Sequence, residues 1–121
     1  MEKKISLKEK ILVAGAKGMV GSAICRALKK SNYGNPKNGG SILSPSKNEL
    51  NYLDLSTLQD WFKINKPSIV IIAAAKVGGI LANSSKPADF IIENLKIQNN
   101  LIETSWKHGV KRLLFLGSSC I

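Results

Sequence analysis

Three glycines at G-x-x-G-x-x-G spacing, Gly15, Gly18 and Gly21, are the strongest chemical signal in this 121-residue sequence. They follow the short apolar run Ile11-Leu12-Val13-Ala14 and open a stretch with helical periodicity. In that setting each glycine has a physical reason. Gly15 permits a tight turn, Gly18 lets the backbone approach a pyrophosphate, and Gly21 lets the following helix pack close to the strand. Free N–H groups and the positive end of the helix dipole then favour phosphate oxygens. The segment Gly15-Ala16-Lys17-Gly18-Met19-Val20-Gly21 therefore reads as a dinucleotide-binding turn. Spacing alone would also suit a plain strand-to-helix turn; the strand before it and the helix after it favour phosphate.

The second strand bears on which dinucleotide. A site for NAD usually carries Asp or Glu there, bonded to the ribose 2′-OH. After Ile42-Leu43 this chain has Ser44, Pro45, Ser46 and Lys47, and no acid before Glu49. Hydroxyls with Lys47, and Lys17 within the glycine loop, suit a 2′-phosphate and hence NADP(H). Two solvated lysines are the plainer reading of the same residues.

The elements that must position these groups alternate in type. Strands are expected at 10–14, 41–43, 51–53, 68–75 and 112–116, mostly apolar on both faces. A helix from Met19 should pack Val20, Ile24, Ala27 and Leu28 inward, with Arg26, Lys29 and Lys30 outward. A second helix is expected at 56–65 with Ser56 as N-cap, and Lys66-Pro67 ends it. A third should run from Pro87 to about Lys107, burying Ile91, Leu95, Gln98, Ile102 and Trp106, with Gly109 as its cap. The stretch 32–40 is loop in composition. The fold class expected is α/β, a Rossmann-like doubly wound parallel sheet of about five strands.

Composition excludes other classes. The formal charge is +10, with 44% hydrophobic and 21% charged residues, close to a globular average. The basic residues are scattered and aromatics are only 6% of the chain, so a nucleic-acid partner is not expected. No apolar run is long enough for a membrane span, and no signal-peptide pattern precedes the first strand. Cys25 and Cys120 are too far apart for a local metal or redox motif, so no metal is expected and a reducing, cytoplasmic setting is.

Three blocks carry a resemblance to the extended short-chain dehydrogenase/reductase family. They are Gly15 to Ile24, Ala73-Ala74-Ala75-Lys76-Val77-Gly78-Gly79-Ile80-Leu81-Ala82-Asn83, and Leu113-Leu114-Phe115-Leu116-Gly117-Ser118-Ser119-Cys120-Ile121. The first block is shared widely among nucleotide-sugar enzymes; the other two are more specific. The resemblance spans the chain apart from a short extension at 1–9 and the 32–40 loop. It implies a bifunctional epimerase-reductase that converts GDP-4-keto-6-deoxy-D-mannose to GDP-L-fucose, inverting C3 and C5 and then reducing C4 with NADPH. A C4 ketone acidifies the C3 and C5 protons, so a nearby acid/base can epimerise through an enolate. The resemblance gives that role to Cys120 and to a histidine further along, and gives Ser118 a hydrogen bond to the C4 oxygen. Without it, Ser118-Ser119 is an ordinary turn and Cys120 a small packed residue.

By the same resemblance Asp54 and Leu55 lie at the adenine, although Asp54 could equally flank the helix that follows. Ala73, Ala74, Ala75, Leu116, Gly117, Ser118 and Ser119 border the cofactor, and Val77, Gly78 and Gly79 line the sugar pocket. Asn94 props the sheet, Cys25 is packing, and His108 ends a helix without being the family's catalytic histidine. The family also implies a homodimer through a four-helix interface that would include the 88–107 helix. Its Tyr-x-x-x-Lys pair has only a nominal counterpart in Tyr33 and Lys37, which stand in the loop after the first helix. The expectation is therefore one domain over 1–121. It would be truncated before the Tyr-x-x-x-Lys helix and the substrate domain, binding NADP(H) but catalytically incomplete alone. Another nucleotide-sugar epimerase/dehydratase, or a non-catalytic NADP-sensing module, are the alternatives.

Overall fold

The computed structural model describes residues 5–46, 48–73 and 87–115, with 87–91 in backbone only. Strand β1 (Lys10–Ala14) is apolar on both faces because it lies inside the sheet. On one side it pairs with parallel β2 (Ser41–Leu43), with Leu12 opposite Leu43. On the other it pairs with parallel β3 (Ile69–Ile72), with Ala14 opposite Ile72. Strand β4 (Arg112–Phe115) extends β3 in the same sense, giving the order β2-β1-β3-β4.

Period-two alternation divides the strand side chains between two layers. Leu12, Ala14, Val70 and Ile72 meet Leu58 and Phe62 of α2 (Leu55–Asn65) and Ile97 and Leu101 of α3 (Pro87–Lys107). Ile11, Val13, Ile69 and Ile71 meet Ile24, Cys25 and Leu28 of α1 (Met19–Lys30). Burying each large aliphatic side chain contributes about 1.5–3 kcal/mol. Helices on both faces of a parallel sheet are the doubly wound arrangement expected from the sequence. No helix among the described residues is long and apolar enough to cross a membrane.

Four local expectations are corrected. Residues 51–53 form no strand, and the sheet has four strands among the described residues. Asn51 prevents it: its Oδ1 accepts from the Leu53 N–H at 3.0 Å, and its carbonyl accepts from the Asp54 N–H at 3.1 Å, closing a turn. The N-cap of α2 is Asp54 and not Ser56, so the helix begins at Leu55. The Asp54 carboxylate takes the Thr57 N–H at 3.3 Å and the Thr57 hydroxyl at 2.8 Å, a paired cap that a serine further into the turn cannot make. In α1, Val20 and Ala27 are exposed, and the packed face runs through Gly21, Ile24, Cys25 and Leu28.

The largest correction concerns α3. Its buried face is Ile97, Leu101, Thr104 and Ser105, while Leu95, Ile102 and Trp106 are exposed, Trp106 at 80%. Gln98 is half-buried, and the Ile91 side chain lies outside the described residues. Two apolar stripes share this helix, and the shorter one faces the sheet. β4 is likewise exposed at Leu113, Leu114 and Phe115 despite its apolar composition, and these three stand outside both core clusters of the described residues.

The N-terminal ends of the strands are fastened separately. Lys111 reaches the Glu9 carboxylate at 3.0 Å. The Ser68 hydroxyl and then Lys111 hold that carboxyl below its ordinary range. The Ser68 hydroxyl also accepts from the Lys10 N–H at 3.1 Å. Tyr33 donates its hydroxyl to the Ile5 carbonyl at 3.0 Å, drawing the segment before β1 against the loop after α1.

The assignment of the α3 face makes a direct prediction. Leu101→Ala should cost about 2–5 kcal/mol in urea unfolding, the range for emptying a closed core site. Ile64→Ala, at an exposed position on α2, should change stability by less than about 0.5 kcal/mol. Equal effects would mean that the core is placed wrongly.

Candidate functional site

All four strands run in parallel, so the loops after β1, β2 and β3 leave the same edge of the sheet. The strand order turns at β1, since β2 leaves on one side and β3 on the other. In open α/β sheets a ligand sits in the crevice beyond the strand C-termini at such a point.

The glycine turn occupies that place, and the structure separates the reasons for its three glycines. Gly15 has φ +88°, a region L side chains rarely adopt. A Cβ on Gly21 would lie 1.9 Å from the Gly15 carbonyl oxygen, so a side chain there would push α1 off the strand. Gly18 needs neither excuse: its φ is −71°, and a Cβ would meet only the Gly15 oxygen at 3.4 Å. The fold tolerates a small side chain at Gly18, and what its absence leaves open is the mouth of α1. There the N-cap has no side-chain hydrogen bond and the first turn carries no acid, so the amide donors and the helix dipole are unopposed. Lys17, Gly18, Met19 and Val20 are exposed around this mouth, Met19 at 89%. Ala16 instead is half-buried and packs on the α1 side of the sheet.

Neighbouring loops bring part of the expected set to the same edge. The Ala73 N–H donates to the Ala14 carbonyl at 2.8 Å, so Ala73 lies beside the start of the glycine turn. Ser44 is exposed directly after β2. Asp54 and Leu55 begin α2, with the Asp54 carboxyl held below its ordinary range by its hydrogen bonds from Thr57. Lys47, Ala74, Ala75, Val77, Gly78, Gly79, Leu116, Gly117, Ser118, Ser119 and Cys120 lie outside the described residues. Among the described residues no three His, Cys, Asp or Glu side chains gather as metal ligands.

Other residues fall elsewhere. Tyr33 bonds to Ile5, ahead of β1, so Tyr33 and Lys37 stand away from the glycine-turn edge. The His108 Nδ1 lies 2.9 Å from the Thr104 carbonyl, and its ring packs on Phe62 at the end of α3. Cys25 is a half-buried free thiol in the α1 layer, and Asn94 is half-buried on α3. Two features escaped the sequence reading. Asn100 donates its amide to the Tyr52 carbonyl at 2.9 Å, pinning the turn before Asp54 to α3; no local pattern announces such a contact. Burial pushes the Tyr52 hydroxyl up to about 12. The second is a turn at Ser46–Glu49, for which Ser-x-x-Glu was a readable sign.

Comparison with known proteins agrees with this geometry. The model of the NAD dependent epimerase/dehydratase family matches residues 11–121. GDP-L-fucose synthase 1 of Arabidopsis thaliana is 49% identical over 112 residues, 93% of this chain and 33% of the relative. The GDP-L-fucose synthase of Escherichia coli is 43% identical over 114 residues, 94% of this chain and 34% of the relative. A GDP-D-glycero-L-gluco-heptose synthase from Campylobacter jejuni, solved in the presence of NADPH, superposes with a TM-score of 0.85 at 35% identity. That match covers 96% of this chain and 32% of the solved one. The chain thus spans about a third of the length of the relatives it matches.

The different reasons for the glycines can be separated by stability. Gly21→Ala should lower it by about 1–3 kcal/mol through overpacking, measured by denaturant midpoint. Gly18→Ala should stay within about 1 kcal/mol of the original; a large loss there would mean that the fold itself requires Gly18.

Proposed function

The chain belongs to the NAD dependent epimerase/dehydratase family, and we propose that it is the NADP(H)-binding portion of an epimerase-reductase converting GDP-4-keto-6-deoxy-D-mannose to GDP-L-fucose. The observation that carries this reading is the side-chain-free Gly18 at an uncapped helix mouth, placed where the strand order turns. The relatives named GDP-L-fucose synthase, at 43–49% identity, supply the substrate class.

Each group in this chain then has a task. The backbone N–H groups of the turn from Gly15 to Gly21 bind the pyrophosphate. Ser44, Lys47 and Lys17 hold the 2′-phosphate. Asp54 and Leu55 border the adenine, and Ala73, Ala74 and Ala75 keep bulk away from the bound dinucleotide. By the resemblance Leu116, Gly117, Ser118 and Ser119 would border it too, and Val77, Gly78 and Gly79 would line the sugar pocket. When bound, NADPH supplies the hydride that reduces the C4 ketone. Ser118 donates a hydrogen bond to the C4 oxygen, stabilising the negative charge that grows there in enolisation and in reduction. Cys120 and the histidine that the resemblance places further along would exchange the protons at C3 and C5, one taking the proton from the carbon and the other returning it on the opposite face.

Titration followed by fluorescence tests the cofactor assignment. NADPH should bind more tightly than NADH, and Gly18→Val should abolish binding with circular dichroism unchanged. A folded chain that binds neither dinucleotide sinks the proposal. The Campylobacter jejuni neighbour supports a second reading, the same chemistry on a GDP-linked heptose. Activity of the full-length enzyme on the hexose and the heptose substrates decides between them.

The exposed α3 residues Ile92, Leu95, Ile102 and Trp106 recur at heptad-like intervals, which supports a homodimer seam. Ile102→Glu should halve the mass seen by sedimentation equilibrium of the full-length enzyme; an unchanged mass removes α3 from the interface. A GDP-sugar substrate, a nucleotide cofactor and the free Cys25 thiol support a cytoplasmic protein with no nucleic-acid or membrane partner.

A further inference from the structure

The first acidic side chain after β2 is Glu49, and the structure ties it back. The Ser46 hydroxyl donates to Glu49 Oε1 at 3.2 Å and accepts from the Glu49 N–H at 3.3 Å. The Ser46 carbonyl takes the Glu49 N–H at 3.0 Å and the Leu50 N–H at 2.9 Å, closing one turn. Leu50 is buried in the core against α2, so the turn is anchored on its far side. Glu49 itself is exposed, and no other described contact holds its carboxylate. Ser44, exposed directly after β2, is left at the strand end with no acid beside it in sequence.

An acid free to lean over the end of β2 would accept from a ribose 2′-OH and repel a 2′-phosphate. We propose that Ser46 is a specificity-determining positioning residue: by fastening the Glu49 carboxylate in the Ser46–Glu49 turn, it keeps the end of β2 open to the 2′-phosphate of NADPH. The proposal rests on the dinucleotide reading of the glycine turn and adds a device for choosing between two dinucleotides. Ser46 acts through Glu49 and needs no contact with the cofactor.

The test is a titration of the chain with NADPH and with NADH, comparing S46A, S46T and S46A/E49Q with the original sequence. S46A releases the carboxylate and should lower the NADPH-to-NADH affinity ratio about threefold, as expected for an exposed charge pair. S46T keeps a hydroxyl and should retain the ratio, and E49Q added to S46A should restore it. Loss of a purely structural cap would weaken both dinucleotides alike, with no rescue by E49Q, and that result overturns the proposal. If S46A does not fold, S46D retains a capping oxygen but has no proton to give. S46D/E49Q binding NADPH over NADH no better than S46D is likewise a refutation. An original chain that binds neither dinucleotide overturns the glycine-turn reading and this proposal together. One that binds NADPH with a ratio indifferent to Ser46 and Glu49 overturns this proposal alone.

Discussion

The missing methyl group at Gly21 lets the first turn of α1 rest almost on the carbonyl of Gly15, where a Cβ would fall at 1.9 Å. That close approach aims the axis of α1 past the end of β1 and sets Ile24, Cys25 and Leu28 down on Ile11 and Val13. One contact therefore serves two ends at once. It closes the α1 layer of the core, and it directs the free amides of the helix mouth into the crevice where the strand order turns. A helix set back by even one methyl group would lose packing on one side and displace its open mouth on the other.

The opposite layer is governed by a different economy. Leu58 and Phe62 of α2 and Ile97 and Leu101 of α3 cover Leu12, Ala14, Val70 and Ile72. The cap that starts α2 is Asp54, the residue that the family resemblance sets beside adenine. The Asp54 carboxylate gives both its oxygens to Thr57, one to the N–H and one to the hydroxyl. Asn100 then fixes that turn to α3 through the Tyr52 carbonyl. The start of α2 thus depends on a helix far along the chain.

Much of this was legible in the sequence, and the failures have physical causes. β1, the glycine turn and the ends of α3 were readable because buried parallel strands, positive-φ glycines and a Pro opening are local signals. The strand expected at 51–53 was lost to the side chain of Asn51, which outcompeted strand pairing by bonding to its own backbone. On α3 the period was right and the face was wrong. Periodicity reports that apolar residues recur but not what they meet, and Leu95, Ile102 and Trp106 outweigh Ile97 and Leu101 in size. Asn100 was invisible because its partner is distant in sequence. Ser46 and Glu49 stand in plain view as Ser-x-x-Glu, a local pattern that signals the turn they close.

The bond from the Lys10 N–H to the Ser68 hydroxyl joins groups 58 residues apart, and the Lys111–Glu9 contact spans 102. Closing loops of that length carries an entropic cost before any contact compensates for it. As the chain leaves the ribosome, the glycine turn is made almost at once, yet β1 beside it cannot be enclosed until β3 has emerged. During that interval the β3-facing edge of Ile11, Leu12 and Val13 has no partner, the kind of apolar edge that misassociates or recruits a chaperone. Folding of this sheet should accordingly be slow for its size, limited by nonlocal pairing and not by its helices.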